Sequence, residues 1–210
     1  MSAVARSRCR GFLWLSPLPT RPKKKGASHL PRGGVSCASL FLLVASAPPA
    51  TLGQLEDALA ATPSASEALE GWCHARFDPA GTLRASVITA SSESPTSWVR
   101  HELRIGKDEA LGYRRVRLSC AGRELSMAFN WYVPDRLTPE MNAALAQTDQ
   151  PFGLVAAPLG FTRQRLSGQR GRADYCPEGT ILTQRAMLKL RDGRPLALVI
   201  ECYTEANLAP

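Results

Sequence analysis

The stretch Ala128 to Gly153, AFNWYVPDRLTPEMNAALAQTDQPFG, decides how this chain reads. Its first part is a strand that stops at Pro134, because proline has no N–H to give to a ladder. A helix restarts at Thr138, with a hydroxyl N-cap, Pro139 at the first helical position and Glu140 in the first turn. Met141, Ala144 and Leu145 then share one face at i, i+3, i+4 spacing. Asp149, Pro151 and Gly153 predict the end of that helix and a turn around Phe152.

Upstream, Gly112 to Cys120 (GYRRVRLSC) alternates as a strand. Arg114, Val116, Leu118 and Cys120 fall on one side, and Tyr113, Arg115, Arg117 and Ser119 on the other. Ala121-Gly122-Arg123 is a tight turn into a strand from Leu125 to Val133, which makes an antiparallel hairpin. Downstream, Leu154 to Gln164 holds a strand-like Gly160-Phe161-Thr162-Arg163, and Leu166 to Thr180 reads as a mobile Gly/Arg-rich loop. Ile181 to Arg191 is joined through Asp192-Gly193, read as a type I′ pair, to a closing strand from Pro195 to Tyr203.

Nearer the start, Leu52 to Ala61 has helical spacing, and Ser64 or Ser66 caps a second helix through His74. Thr82 to Ala90 alternates like a strand, Ser91 to Thr96 is a polar loop, and Trp98 to Ile105 is predicted as a further strand. Strands joined by short turns imply an α+β class: an antiparallel β-sheet with helices packed on one face.

Charge divides the chain in two. Of 26 Lys and Arg, eight lie in residues 1–50, which hold no acid, so the formal +8 belongs to that segment. Residues 51–210 carry 18 bases against 18 acids. A balanced domain lacks the basic excess of a polyanion-binding surface, which argues against nucleic acid as a partner. The leader contains one apolar run, Val35 to Ala47, too short to span a bilayer. A basic region, a short apolar core and small residues at Ala45-Ser46-Ala47 fit a cleaved export signal. An organelle transit peptide, an unstructured tail, or a start codon assigned too far upstream fit as well. The domain is therefore periplasmic or exported if the run is a signal, and cytoplasmic if the leader is an artefact.

No C-x-x-C pair or His/Cys cluster signals a metal. Cys73, Cys120, Cys176 and Cys202 permit two bridges in an exported protein. Cys120 and Cys202 sit inside apolar strand patterns, where buried thiols are the simpler expectation. His74 and His101 stand alone and read as structural or surface residues. Trp72, Trp98, Trp131 and Tyr132 read as core, with Trp131 or Tyr132 able to line a pocket.

In the closing strand Glu201 shares a face with Ala197, Val199 and Tyr203. An acid on an apolar face is costly to bury unless it is paired or kept protonated. Arg115 and Arg117 share one face of their own strand. If both faces look into one cavity, a guanidinium fork opposes a carboxyl, a pair suited to a small hydroxylated acid. The plainer alternative is a solvated sheet face with surface ion pairs.

From about Ser64 onward the chain resembles the chorismate lyase (chorismate pyruvate-lyase) family, whose fold relatives include ligand-sensing domains of bacterial transcription regulators. The likeness rests on an ordered set of short pieces. These are Arg115 to Cys120, Val133-Pro134, Pro151-Phe152-Gly153, Thr162-Arg163, and Gly193-Arg194-Pro195-Leu196 leading to Glu201. The resemblance implies a chorismate lyase-like fold over residues 51–210 and elimination of pyruvate from chorismate without a cofactor or metal. That reaction would give 4-hydroxybenzoate for ubiquinone biosynthesis. It further implies that Arg115 holds the ring carboxylate and Glu201 acts at the ether-oxygen end as catalytic groups. Ala65 and Phe152 would line the pocket, and Arg163 or Arg117 would hold the enolpyruvyl carboxylate.

An exported chain would not meet chorismate, a cytoplasmic metabolite. The competing expectation is a non-catalytic module on the same fold that binds a small aromatic acid. Under either reading the partner is a small aromatic or enolpyruvyl acid, with no stable membrane insertion and a monomeric domain.

Overall fold

A computed structural model describes residues 48–88 and 97–210. The readings of residues 1–47 and of the Ser91–Thr96 loop lie outside the described residues. Among those described, no helix is long and apolar enough to cross a membrane.

The chain begins with two helices, α1 (Leu52–Ala61) and α2 (Ala65–Arg76). Thr51 and Gln54 close a reciprocal capping box on α1, and Ser64 caps α2 by accepting from the Glu67 N–H. A short strand β1 (Arg84–Val87) precedes helix α3 (Ser97–Leu103). The long hairpin β2 (Gly112–Cys120) and β3 (Arg123–Tyr132) leads through a 3-10 turn at Pro134–Arg136 to α4 (Pro139–Gln147) and α5 (Phe152–Ala156). Strands β4 (Thr162–Arg170), β5 (Thr180–Lys189) and β6 (Pro195–Thr204) complete an antiparallel six-stranded sheet in the order β1-β2-β3-β6-β5-β4.

The two sides of this sheet follow from its register. Val116 lies opposite Ala128, and Ala128 opposite Glu201, so these three side chains share one side. Helices α1 and α2 pack there on Val116, Leu118, Ala128 and Leu182, and α4 and α5 on Ala186, Leu188, Ala197 and Val199. Met127, Phe129, Trp131, Leu198 and Ile200 occupy the second side, covered by α3 through Val99 and Leu103. The α+β antiparallel class expected from the sequence is the class observed, with one short helix on the second side.

Several local expectations are corrected. The strand expected over Trp98–Ile105 is instead helix α3 as far as Leu103: Val99 and Leu103 are four apart, and so short a segment satisfies helical and strand periods alike. Leu166 to Arg170 is not loop but the second half of β4, which is exposed along most of its length. An edge strand facing water on both sides carries no apolar alternation to betray it. Phe152 begins α5 where a turn was expected. The type I′ geometry sits at Ala121-Gly122, both residues at positive φ. At the final hairpin only Gly193 takes positive φ, and its N–H donates to the Leu190 carbonyl.

The expected thiols are instead two disulfides, Cys73–Cys120 and Cys176–Cys202. The first ties α2 to the end of β2 on the helix-bearing side. The second ties the segment between β4 and β5 to β6 on the other side. Alternation placed Cys120 and Cys202 correctly in the core, but it carried no information about which cysteine approaches them.

Candidate functional site

On the helix-bearing side, the N-termini of α2 and α5 meet over the middle of the sheet and enclose a hollow of about 30 Å³, room for one or two waters. Ser64, Ser66 and Gly153 form its roof, and Ser126, Asn130 and Glu201 its polar floor. The roof is tight because Gly153 has no side chain. A Cβ there would lie 2.2 Å from Ser64 Oγ and 2.9 Å from Ser66 Oγ. Gly153→Ala is therefore expected to lower stability by about 1–3 kcal/mol through overpacking, as read by thermal or urea unfolding.

Glu201 is buried on the floor, where its Oε2 accepts from the Tyr203 hydroxyl at 3.0 Å and from Arg163 Nη2. Arg163 reaches it from the neighbouring edge: the same Nη2 donates to Gln184 Oε1 at 2.7 Å. Burial works against the Arg163 charge, but the Glu201 carboxylate, helped by Tyr203, outweighs it and holds the guanidinium pKa above its usual value. Burial first, and the Glu201 charge second, push the Tyr203 phenol well above the ordinary tyrosine range.

The expected site residues separate into two groups. Glu201, Ala65 and Phe152 line the hollow, and Arg163 reaches Glu201 from outside it. Arg115 and Arg117 do not. Arg115 lies opposite Phe129 in the β2–β3 ladder and so points to the second side of the sheet. Its guanidinium sits 5.1 Å from the Phe129 ring centroid, and Nη2 donates to Met127 Sδ at 3.5 Å. Arg117 is exposed and pairs with Glu124 at 3.3 Å. The expected facing of Arg115 and Glu201 is thus corrected: one is an odd number of ladder positions out of phase with the other, and the sheet lies between them.

The arginine missed by sequence reasoning is Arg114, one residue away. It is 5 % exposed, on the helix-bearing side, opposite Asn130. Nη1 donates to the Gln150 carbonyl at 3.3 Å, while Nε and Nη2 are buried without a partner. Burial lowers its pKa, and the nearby Tyr132 phenol opposes that shift. The signal was present in the alternation, which set Arg114 beside Val116, Leu118 and Cys120. The argument applied to Glu201, that a charge on an apolar face needs a reason, applies to Arg114 equally.

Of the two aromatic candidates, Tyr132 packs on Phe152 with centroids 5.3 Å apart, and Trp131 lies on the second side. His74 makes a 2.6 Å hydrogen bond between Nε2 and the Gly81 carbonyl, and His101 is exposed on α3. Among the described residues no group of three or more His, Cys, Asp or Glu side chains could hold a metal ion.

No protein-family model matches the chain. Among solved structures, PhnF from Mycobacterium smegmatis superposes with a TM-score of 0.52 at 9% identity, covering 70% of this chain and 66% of that one. Its separately solved effector domain gives 0.46 at 11% identity over 68% and 88%. The possible transcriptional regulator YydK from Bacillus subtilis gives 0.44 at 17% over 60% of each chain. This chain thus spans less than two thirds of the length of the YydK and PhnF chains. The shared fold is the chorismate lyase-like α+β fold of ligand-binding domains in GntR-type regulators.

These neighbours overturn the expected enzyme. The structures that share the fold are regulator effector domains and no chorismate lyase is named among them, so the expected pyruvate elimination, with chorismate and ubiquinone biosynthesis, is withdrawn. The geometry agrees: the two groups assigned to catalysis lie on opposite sides of the sheet, and Glu201 is already held by Arg163. By sequence, the chain is 35% identical to the uncharacterized protein y4mC of Sinorhizobium fredii, over 74% of each. The chain belongs to the family of that protein.

Proposed function

We propose that this domain is a non-catalytic binding module for a small anionic effector, taken up between the sheet and the N-termini of α2 and α5. The observation that carries the reading is Arg114. It lies on the helix-bearing side opposite Asn130 of the hollow's floor, buried with Nε and Nη2 unpartnered, and a buried cation without an acceptor is costly unless a ligand supplies one. Ser126 Oγ, on the floor, also lacks a partner and offers a hydroxyl to the same ligand.

The hollow as it stands has room only for water-sized groups, so an effector enters by parting α5 from α2 where Gly153 meets Ser64 and Ser66. Coupling of binding to that displacement is what a sensor requires, since a ligand shifts an equilibrium only by its difference in affinity for the two states. The PhnF effector domain supports a sensing role through its fold. The two disulfides support work in an oxidising compartment, consistent with an export signal at Val35–Ala47.

The test is a thermal-shift screen of the full chain against small organic acids and phosphate esters, followed by titration of any hit into wild type and Arg114→Met. Loss of a charge-assisted bond of about 1.5–3 kcal/mol predicts at least a tenfold weaker Kd in the variant. Mass spectrometry of the recovered ligand should show it unchanged. Turnover, or equal affinity in Arg114→Met, overturns the reading.

A further inference from the structure

A second feature lies outside the hollow and does not depend on Arg114. Along the β4–β5 edge, on the helix-bearing side, a groove of about 210 Å³ runs beneath the end of α1. Leu59, Ala60 and Thr62 form one wall, and Arg163, Arg165 and Gln184 the other. Past Arg165 and Gln184 it continues toward Glu56 into a further space of about 290 Å³.

Of the two arginines in this groove, one is paired with Glu201 and the other has no acid in contact among the described residues. Arg163 has a side chain only 6% exposed, spends Nη2 on Gln184 and Glu201, and keeps a buried Nε with no partner. Arg165 makes no hydrogen bond or ion pair among the described residues. Glu56, which feels the Arg165 charge at a distance, is engaged by Arg170 at 2.6 and 3.3 Å. The β4–β5 bulge between Arg165 and Ser167 shifts the strand there, and Arg163 and Arg165 line the groove together.

We propose that this groove is an oxyanion-binding site, separate from the hollow, for the carboxylate or phosphate end of a small acid. Arg163 Nε and the Arg165 guanidinium donate to the oxyanion, and Gln184, whose Oε1 is taken by Arg163, adds its Nε2 amide. Leu59 and Ala60 give a short apolar wall for the carbon body. Because Arg163 is also the partner of Glu201, an oxyanion in the groove competes with that carboxylate and so reaches the wall of the hollow.

The test uses the full chain, titrated separately with inorganic phosphate and with acetate in a buffer free of other oxyanions. Binding is followed by calorimetry and by the side-chain Nε–Hε resonances of the arginines. At least one probe should bind saturably and shift Arg163 and Arg165, and the stronger of the two identifies the ligand end as phosphate or carboxylate. Arg165→Ala, at an exposed position that leaves the fold intact, should weaken binding about tenfold, the loss of one charge-assisted bond. Glu201→Gln, which releases Arg163, should tighten it several-fold, and unfolding curves check that this variant remains folded. Absence of saturable binding by either probe overturns the proposal. So does unchanged affinity in Arg165→Ala, or a shift confined to Arg114.

Discussion

Replacing Arg163 with methionine is expected to lower folding stability by about 3–5 kcal/mol, the range for removing one partner of a buried ion pair. Both side chains of the Arg163–Glu201 pair are within a tenth of full burial, so water cannot take over the role of the lost guanidinium. Gln184 would lose its bond to Arg163, and Glu201 would keep only the Tyr203 hydroxyl. One neutral donor does not neutralise a buried carboxylate. The loss belongs to the stranded charge and not to the pair itself, and this gives a second expectation. Glu201→Gln added to Arg163→Met should recover most of the stability, because it removes that charge. Urea unfolding of the two single variants and the double variant closes the cycle. A loss below about 1 kcal/mol in Arg163→Met would show that water reaches Glu201 in the native state, contrary to the burial described.

Reduction of the disulfides carries the other large effect. Cys73–Cys120 closes a separation of 47 residues and Cys176–Cys202 one of 26. Loop-closure entropy then assigns each bridge about 3–4 kcal/mol, a large part of the 5–15 kcal/mol typical of a domain. Strong reductant, or Cys→Ser changes in both pairs, should therefore bring the unfolding midpoint down steeply or abolish cooperative folding. The two bridges are not equivalent for the site. Cys73–Cys120 holds α2, whose N-terminus carries Ser64 and Ser66, so its loss should weaken ligand binding as well as stability. Cys176–Cys202 lies on the second side of the sheet, and its loss should act on stability with a smaller effect on the hollow. Unfolding midpoints and ligand affinities of the two single-bridge variants separate these outcomes. Equal loss of affinity in both would count against the placement of the site.

Much of the architecture was legible in local chemistry. The hairpin at Ala121-Gly122, the proline stop at Pro134, the Thr138 cap and the Pro195–Tyr203 strand each follow from a backbone constraint or a two-residue period. Both of these act over a few residues and need no knowledge of the rest of the chain. Burial of Glu201 was legible for the same reason: an acid in an apolar alternation must be accounted for.

What the sequence left open depends on contacts between distant segments. Trp98–Ile105 and the second half of β4 were misread because a short helix and an exposed edge strand have no period of their own. Packing against Phe129 and Ile200, and pairing with β5, made them what they are. The partners of Cys120, Cys202 and Glu201 came from elements 47, 26 and 38 residues away. The choice between Arg114 and Arg115 was decided by the β2–β3–β6 ladder, since only pairing through Ala128 says which side of β2 faces Glu201. Alternation sorts residues into two faces, and the sheet and the helices laid on it decide which face becomes the site.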